Sequence, residues 1–319
     1  MALPPRYKLN SDGPLSAVVS AQGAALVGLS FVMDGRRREL VLDPDVPYYD
    51  RARDAAYIGA VCGRVCGRIA NGRYMRADGT VVNLAANDGK NHLHGGGDRA
   101  LNRLNWSIDQ RQGQRQSPDR LKLTADSLAE AEGYPGHLKA SITYELYNTA
   151  LLVKLEAVCD APCPINLTLH PYFNLSSGRQ NSVAEHALQI SATGKYSLDE
   201  DLVPTSKVVD VAGTAYDFIV QRRIGDTRLD TIFNLEKGDP AACLTSPEGD
   251  LNLTIETDRD TLVVYDGCGL PKPMLDAGSG ICLEPQDAPL STRSPNKIEH
   301  PANKPWTSWI RYNLSGTRA

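Results

Sequence analysis

The sequence predicts an all-β fold, because seven stretches alternate apolar and polar residues with the period of two that a half-buried strand requires. Patterns with the helical period are scarce. Many short strands with even punctuation between them are typical of an antiparallel β-sandwich or barrel. The alternating stretches are Ser16–Ser20, Leu121–Thr124, Leu138–Tyr147, Leu151–Cys159, Ala187–Ser191, Leu251–Glu256 and Thr261–Tyr265.

Turn signals separate these predicted strands. The 27 glycines and 20 prolines are spread along the chain rather than pooled in a linker, and no internal repeat is visible. A chain of 319 residues can form one large β domain or two ordinary ones. Because no boundary signal stands out, we expect a single domain over residues 1–319. The turn signals are Asp34-Gly35, Asp78-Gly79, Glu132-Gly133, Glu248-Gly249 and Asp266-Gly267.

Two polar segments are predicted to be exposed connections. Asp109–Arg120 is the most polar part of the chain and predicts a mobile loop between strands. The basic run Arg36–Arg38 directly follows Asp34-Gly35, and we interpret it as a solvated hairpin turn.

Composition narrows the class of partner. The formal net charge is −4 and the pI is near 5.9, whereas nucleic-acid binding needs clustered Lys and Arg. No stretch approaches the ~20 apolar residues of a membrane span, and the N-terminus has no apolar signal-peptide region. We therefore expect a cytoplasmic protein with neither nucleic acid nor membrane as its partner.

The seven cysteines are scattered, and two pairs have C-x3-C spacing. Residues four apart on a strand share a face, so each pair could line one surface. The usual zinc spacings differ and include histidine partners. We expect reduced structural cysteines and no metal. The pairs are Cys62 with Cys66 and Cys159 with Cys163, and the other three are Cys243, Cys268 and Cys282.

Gly63–Gly72 is rich in glycine and carries Arg64 and Arg68 four residues apart. An open backbone lets a ligand approach closely, and a guanidinium supplies fixed donors to hydroxyl oxygens. The residue order is not that of a phosphate loop. The segment predicts either a ligand-binding wall or a glycine turn with surface arginines.

Asn91–Gly97 contains His92 and His94, which strand alternation would place on the same side of the chain. Two histidines at this spacing can bind a metal, but a site needs a further ligand in a defined position, and the sequence suggests none. A polar pocket wall followed by a flexible glycine loop is favoured. Structural or surface histidines are the alternative.

His170 and Glu284 are the candidate acid and base. His170 lies in the β-prone run Leu167–Leu175, and Glu284 lies in Ile281–Gln286. A lone histidine on an apolar strand is more often a core residue than a catalyst, but glutamate is almost never fully buried unless it is paired. A carboxyl group among apolar neighbours tends to have a raised pKa, which suits a general base. If the two share a pocket, proton transfer on a neutral substrate is predicted.

Taken in order, these segments resemble the aldose 1-epimerase (galactose mutarotase) family. The family carries G-R-x-x-N-R-I, N-x-L-H-G-G, N-H-x-Y-F-N-L and L-E-x-Q motifs, and two further segments follow its G-T-P-x-D-F and D-H-x-F patterns. The resemblance covers residues 15–315. The corresponding segments here are Gly63–Ile69, Asn91–Gly96, Leu169–Leu175, Leu283–Gln286, Gly213–Phe218 and Leu229–Phe233.

The resemblance implies a large antiparallel β-sandwich, often called a supersandwich, with a sugar cleft on one concave sheet face. It also implies an isomerase that interconverts the α and β anomers of a free aldose such as galactose or glucose, without a metal or a cofactor. A base takes the proton of the anomeric hydroxyl while an acid protonates the ring oxygen. The ring then opens and recloses on the other face of the carbonyl.

By position in the motifs, the resemblance makes Glu284 the base and His170 the acid. It assigns sugar binding to Arg68, His94 and Asp230. An aromatic face for the sugar is also expected.

Tyr172 and Phe173 are the candidates for that face, and alternation allows only one of them to reach the cleft. We take Tyr172 as the binding candidate.

Three departures from the family motifs, and a divergent stretch, leave open which sugar is the substrate. Gly67 stands where the family usually has Asn, Leu169 where it often has Asn, and Pro171 where it has a small polar residue or Thr. The stretch after Gln286 also diverges. Hydroxyl recognition depends on individual donors and acceptors, so these changes bear on specificity.

Three alternatives stay open from the sequence. The first is the same chemistry on a pentose, a deoxysugar, a uronic acid or a sugar phosphate. A phosphosugar would need a cationic clamp beyond Arg68, to which Arg64 or Arg73 could contribute. The second is a non-catalytic carbohydrate-binding module. The third is a glycosidase that uses Asp230 and Glu284 as its two carboxylates. A monomer or homodimer is expected.

Overall fold

The computed structural model describes residues 4–43, 56–109, 118–177, 182–238, 240–270 and 276–316. These residues form 25 strands and no α-helix, which confirms the all-β prediction. The strands are β1 (Arg6–Asn10), β2 (Leu15–Ser20), β3 (Leu26–Met33), β4 (Arg36–Glu39), β5 (Val61–Cys62), β6 (Arg68–Ile69), β7 (Arg73–Met75), β8 (Val81–Asn83), β9 (His92–Leu93), β10 (Ser107–Ile108), β11 (Arg120–Ser127), β12 (Leu138–Tyr147), β13 (Ala150–Cys159), β14 (Thr168–Leu169), β15 (Tyr172–Phe173), β16 (Ala187–Ile190), β17 (Gly194–Leu198), β18 (Pro204–Asp210), β19 (Arg222–Arg223), β20 (Asp230–Asn234), β21 (Ala242–Thr245), β22 (Leu251–Thr257), β23 (Thr261–Tyr265), β24 (Ile281–Gln286) and β25 (Trp306–Gly316).

Short 3-10 segments punctuate the strands. Within the described ranges, none of the helical segments is long and apolar enough to span a membrane. The segments are Ala70–Gly72, Leu101–Arg103, Ala131–Gly133, Val183–Glu185, Leu290–Thr292 and Pro295–Lys297.

Two large sheets dominate the molecule, and the pairings between the named strands are antiparallel. The larger sheet has nine strands in the order β10-β11-β12-β13-β25-β22-β21-β16-β19. The second has six strands in the order β15-β24-β23-β20-β17-β18. A four-stranded sheet, β1-β2-β3-β4, and three two-stranded ladders complete the fold.

The inner faces of the two large sheets share one apolar core. Val153 and Tyr312 of the nine-stranded sheet belong to the same buried cluster as Val264 and Leu283 of the six-stranded sheet. Phe173 of β15 packs on Tyr312, with ring centroids 5.3 Å apart. This face-to-face packing of two antiparallel sheets is the sandwich arrangement.

All seven alternating stretches of the sequence coincide with strands, although Ser191 lies just beyond the end of β16, but the longest strand was not predicted. β25 has 11 residues, and buried residues alternate with more exposed ones from Trp306 to Leu314. It lies between β13 and β22 in the nine-stranded sheet. The period-two signal is present in its sequence, so local alternation also predicts this strand.

The interpretation of Arg36–Arg38 as a turn was wrong. Asp34-Gly35 forms the turn, and the arginines belong to β4, which pairs with β3. Arg38 donates two hydrogen bonds to the carboxylate of Asp250, at 2.8 and 2.7 Å. The basic run is therefore part of a sheet, and a bidentate contact with a residue distant in sequence holds Arg38 there. Of the predicted loop Asp109–Arg120, residues 110–117 lie outside the described residues.

Arg64 is a structural residue rather than a surface arginine or a ligand donor. Its side chain is only 1% exposed. It donates to Oγ of Ser127 and to the backbone carbonyls of Ser127, Leu128, Pro135 and Gly136, at 2.8–3.0 Å. The guanidinium thereby satisfies several carbonyls of the connection between β11 and β12, which would otherwise be buried without donors.

We expect Arg64→Met to lower the free energy of unfolding by about 3 kcal/mol or more, because each buried carbonyl left without a donor costs about 1–3 kcal/mol. Urea denaturation followed by circular dichroism measures this. Arg73→Met is the matched control, since Arg73 is exposed at the start of β7; it should change the value by less than about 0.5 kcal/mol. Equal losses in the two variants would contradict a structural role for Arg64.

Candidate active site

A cleft of about 200 Å³ opens on the face of the six-stranded sheet that points away from the shared core. Strand β24 forms its floor. Because side chains alternate along a strand, Ile281 and Leu283 enter the core while Glu284 and Gln286 point into the cleft. All six predicted site residues line this one cleft: Arg68, His94, His170, Tyr172, Asp230 and Glu284.

The predicted acid and base are in direct contact. Nε2 of His170 lies 3.3 Å from Oε1 of Glu284. His170 is 4% exposed and Glu284 is 1% exposed. The backbone of His170 is held on both sides, since its N–H donates to the carbonyl of Ala60 and its carbonyl accepts from the N–H of Gly59. The imidazole is therefore fixed in place against the carboxyl group.

Burial shifts the pKa values of this pair in opposite directions. Burial raises the pKa of Glu284 well above its usual value, the negative charge of Asp230 adds to the rise, and a hydrogen bond from Gln286 opposes it. Burial lowers the pKa of His170 to about 4. Both shifts disfavour the charged form, as expected for groups removed from water. Over a wide pH range the pair therefore holds one proton between its two members.

Cys282 lies on the other edge of the imidazole. Its Sγ is 3.3 Å from Nδ1 of His170. It belongs to β24, two residues before Glu284, so both side chains emerge from the same face of that strand. The sequence predicts structural cysteines and carries no signal for this contact. All seven cysteines are free, and five of them are buried, but this one touches the candidate acid.

The ligand atoms of His170, Cys282 and Glu284 lie within 4.8 Å of one another, which raises the question of a metal. The carboxylate is at Nε2, and the sulfur is at Nδ1 of the same ring. A metal ion bound to one ring nitrogen lies near the plane of the ring on that side, away from the ligand at the other nitrogen. These donors therefore fit a hydrogen-bonded chain better than a single cation.

Arg68 and Asp230 form the polar wall opposite the pair. Nε of Arg68 donates to Oδ2 of Asp88 at 2.7 Å, and its Nη1 lies 4.0 Å from Oδ2 of Asp230. Burial raises the pKa of Asp230, and the positive charge of Arg68 opposes that shift. The loose contact leaves Nη1 and the carboxylate of Asp230 able to take other partners.

The two neighbouring histidines do not share a surface, so that prediction was wrong. His92 is fully buried and its ring nitrogens contact the carbonyl of Ala85 and the hydroxyl of Tyr134, at 2.6 and 2.8 Å. His94 has a φ of 51°, a left-handed conformation that breaks the strand alternation. It turns into the cleft, where its ring centroid lies 5.3 Å from that of His170.

His94 is poised to meet a ligand. Its Nδ1 is buried without a hydrogen-bond partner among the described residues. Burial lowers the pKa of His94 well below its usual value, with smaller contributions from His170 and Arg68, so the ring is neutral. A neutral imidazole with a free nitrogen can hydrogen-bond a polar ligand atom.

Of the two aromatic candidates, Tyr172 reaches the cleft and Phe173 belongs to the main core. The hydroxyl of Tyr172 donates to the carbonyl of Ala56 at 3.0 Å. Sequence reasoning missed Tyr57, which also lines the cleft and packs edge-on against His94 with centroids 4.5 Å apart. Its φ is 55°, and nothing in the local sequence signals that conformation.

Gly67 and Gln286 form another part of the lining. A Cβ placed on Gly67 would come 3.5 Å from Oε1 of Gln286, and its φ is +76°. The absent side chain therefore leaves open space beside Arg68, which agrees with an effect of this position on specificity.

Gly95 holds His94 in the cleft. Its φ is +91°, and a Cβ there would come within 1.7 Å of the carbonyl oxygen of Gly63. We expect Gly95→Ala to lower the free energy of unfolding by roughly 3 kcal/mol or more, because both strain and a backbone clash result. Gly79→Ala is the control: its φ is +86° with nothing within 4 Å, so only about 1 kcal/mol of strain is expected. Similar losses measured by urea denaturation would show that close packing at Gly95 is unimportant.

Comparisons with known proteins identify the family of this chain. The family model described as aldose 1-epimerase matches residues 5–313. The aldose 1-epimerase of Escherichia coli (strain K12) is 35% identical over 320 residues, covering 92% of this chain and 88% of that protein. The aldose 1-epimerase of Haemophilus influenzae is 31% identical over 293 residues, covering 86% and 83%. The crystal structure of an aldose epimerase homologue from C. elegans superposes with a TM-score of 0.89 at 24% identity, covering 99% of this chain and 100% of that one. This chain therefore belongs to the aldose 1-epimerase family, whose members are carbohydrate isomerases with a galactose mutarotase-like fold.

Proposed function

We propose that the cleft interconverts the α and β anomers of a free, uncharged aldose, with Glu284 as the general base and His170 as the general acid. The observation that carries this proposal is the buried contact between Nε2 of His170 and Oε1 of Glu284 at the floor of a polar cleft. A carboxyl group and an imidazole that share one proton supply both transfers that ring opening needs.

The proton balance follows from this pair. In the reactive state Glu284 is ionised and Nε2 of His170 carries the proton. Glu284 takes the proton of the anomeric hydroxyl, the bond between C1 and the ring oxygen breaks, and His170 protonates that oxygen. After rotation about the C1–C2 bond, the new hydroxyl returns its proton to His170 as it attacks the other face of the aldehyde. Glu284 then gives its proton to the carbonyl oxygen, so the enzyme is restored.

Three side chains would orient the sugar. Nη1 of Arg68 is a donor to hydroxyl oxygens, and the carboxylate of Asp230 accepts from hydroxyl groups. The unpartnered Nδ1 of His94 supports a contact with the sugar near His170. Tyr172 and Tyr57 would bound the apolar face of the ring.

The charges of the cleft support an uncharged substrate. Among the described residues that line it, Arg68 is the only arginine or lysine, and it already contacts Asp88. Arg64 is buried against the connection between β11 and β12, Arg73 is exposed, and neither lines the cleft. A phosphate or uronate group would therefore lack the second cation that tight anion binding requires. A free hexose such as galactose or glucose fits better.

Four further expectations belong to the same proposal. A single family model over residues 5–313 supports one domain. The net charge of −4 supports a small-molecule rather than a nucleic-acid partner. A cytoplasmic location and a monomeric or homodimeric state stay predictions.

We expect Glu284→Gln to reduce kcat for mutarotation by about 10²–10⁴-fold, because a correctly placed general base contributes that factor. The decay of optical rotation of fresh α-D-galactose and α-D-glucose measures it, beside the spontaneous rate. Glu256→Gln is the control, since Glu256 lies on β22 and contacts Arg311; it should match the wild type. Wild-type protein that accelerates neither sugar would move the proposal to another aldose, and a panel of pentoses and deoxysugars would decide between that and a binding module.

We expect a bell-shaped dependence of kcat/KM on pH. Below about pH 4 the pair takes up a second proton, because the pKa of His170 is lowered to about 4, and the base is lost. Above the raised pKa of Glu284 the pair loses its last proton, and the acid is lost. Activity therefore falls at both extremes, with apparent pKa values that belong to the pair. A profile with a single limb would show that one of the two groups does not take part.

A further inference from the structure

We propose that Cys282 is a positioning residue for proton transfer: its sulfur accepts a hydrogen bond from Nδ1–H of His170 and so reserves Nε2 for the proton that moves. This inference rests on the proposed acid–base pair. Cys282 would act on proton transfer through His170, without touching the sugar.

The geometry separates the two edges of the imidazole. Nε2 faces Oε1 of Glu284 at 3.3 Å, and Nδ1 faces Sγ of Cys282 at 3.3 Å. Glu284 and Cys282 are two residues apart on β24, whose pairing with β23 runs from Thr261↔Gln286 to Tyr265↔Cys282. One rigid strand therefore presents a carboxylate and a thiol to opposite nitrogens of the same ring.

The position of the shared proton determines which partner donates in the hydrogen bond between Nδ1 of His170 and Sγ of Cys282. When the one proton of the pair lies in the hydrogen bond between the two groups, it is either on Glu284, which then donates to Nε2, or on Nε2, which then donates to Glu284. In the first state the neutral imidazole has its hydrogen on Nδ1, and in the second the imidazolium has hydrogens on both nitrogens. Nδ1–H is present in both states, so the group opposite Nδ1 has to accept in both.

The surroundings of Cys282 favour a neutral sulfur in that place. Cys282 is fully buried with Leu42, Ile58, Tyr172 and Leu270. Burial raises the pKa of its thiol well above the usual value, and the nearby charge of Glu284 adds to the rise. A neutral thiol is a weak acceptor through its lone pairs. It can therefore hold the Nδ1–H without placing a second negative charge beside Glu284.

Other groups that face His170 do not compete for Nδ1. The ring of His94 approaches edge-on and is neutral, and Tyr57 and Tyr172 present their rings at centroid distances of 6.0 and 5.1 Å. The backbone of His170 raises the pKa of its own ring, in opposition to the effect of burial. Asp230 acts on the pair through Glu284, whose pKa its charge raises.

The direct test is the tautomer of His170. We expect side-chain ¹⁵N–¹H spectra of the ligand-free wild type, on the pH plateau, to show a protonated Nδ1. The chain has six histidines, so His170→Gln assigns the signal. In Cys282→Ala the hydrogen should shift in part to Nε2, since the acceptor at Nδ1 is gone, and in Cys282→Ser it should stay on Nδ1.

Kinetics provide the second readout. We expect Cys282→Ala to lower kcat about tenfold with little change in KM, which is the size of one lost hydrogen bond. The alkaline limb of the pH profile should move to lower pH, because the acceptor favours the protonated pair. Cys282→Ser should restore both. Cys243→Ala on the distant β21 is the matched control and should leave kcat and the profile unchanged.

Each outcome decides the question. A wild-type imidazole with its hydrogen on Nε2 alone would overturn the inference, as would a Cys282→Ala variant with an unchanged tautomer and pH profile, even at a lower melting temperature. A Cys282→Ala variant that loses only stability would indicate that Cys282 serves the packing of the core and not proton transfer. If no aldose is mutarotated, the proposed function fails, while the spectra still determine whether the sulfur holds Nδ1–H.

Discussion

Strand β24 lies between the apolar core and the cleft, and the site depends on its register. Ile281 and Leu283 pack into the core shared by the two large sheets, while Cys282, Glu284 and Gln286 alternate to the other face. A slip by one residue would send the carboxyl group into the core and the leucine into the cleft. The pairing of five consecutive residues with β23 prevents that slip.

Burial of ionisable groups is the second constraint. His170 and Glu284 are buried among strands that also pack against the apolar core. Their charged forms are therefore disfavoured. Two such groups in contact avoid the cost by sharing one proton, and a shared proton is what a ring-opening reaction moves. The polar wall with Arg68 and Asp230 is more open, which suits recognition of hydroxyl groups rather than proton transfer.

Much of the fold and part of the site could be predicted from local patterns. Alternation identified seven strands, and the six residues predicted from the sequence all line the cleft. The errors came from long-range or conformational causes. The local sequence allows Arg64 to be a surface arginine, whereas in the fold it is surrounded by carbonyls of a connection that is distant along the chain. Strand alternation predicts that His92 and His94 share one face, but the positive φ of His94 turns its side chain to the other side. Tyr57 has no local signal at all.

By itself, the sequence determined the class of fold, the strands with period-two patterning and the family to which the chain belongs, because these are written in local alternation and in short motifs. Only the tertiary structure decided that Nε2 of His170 meets Glu284 while its Nδ1 meets Cys282. The physical reason is that residues 112 and 114 positions apart along the chain become neighbours through strand pairing and a shared core. The degree of burial, and with it the direction of each pKa shift, follows from that packing and not from the residue types.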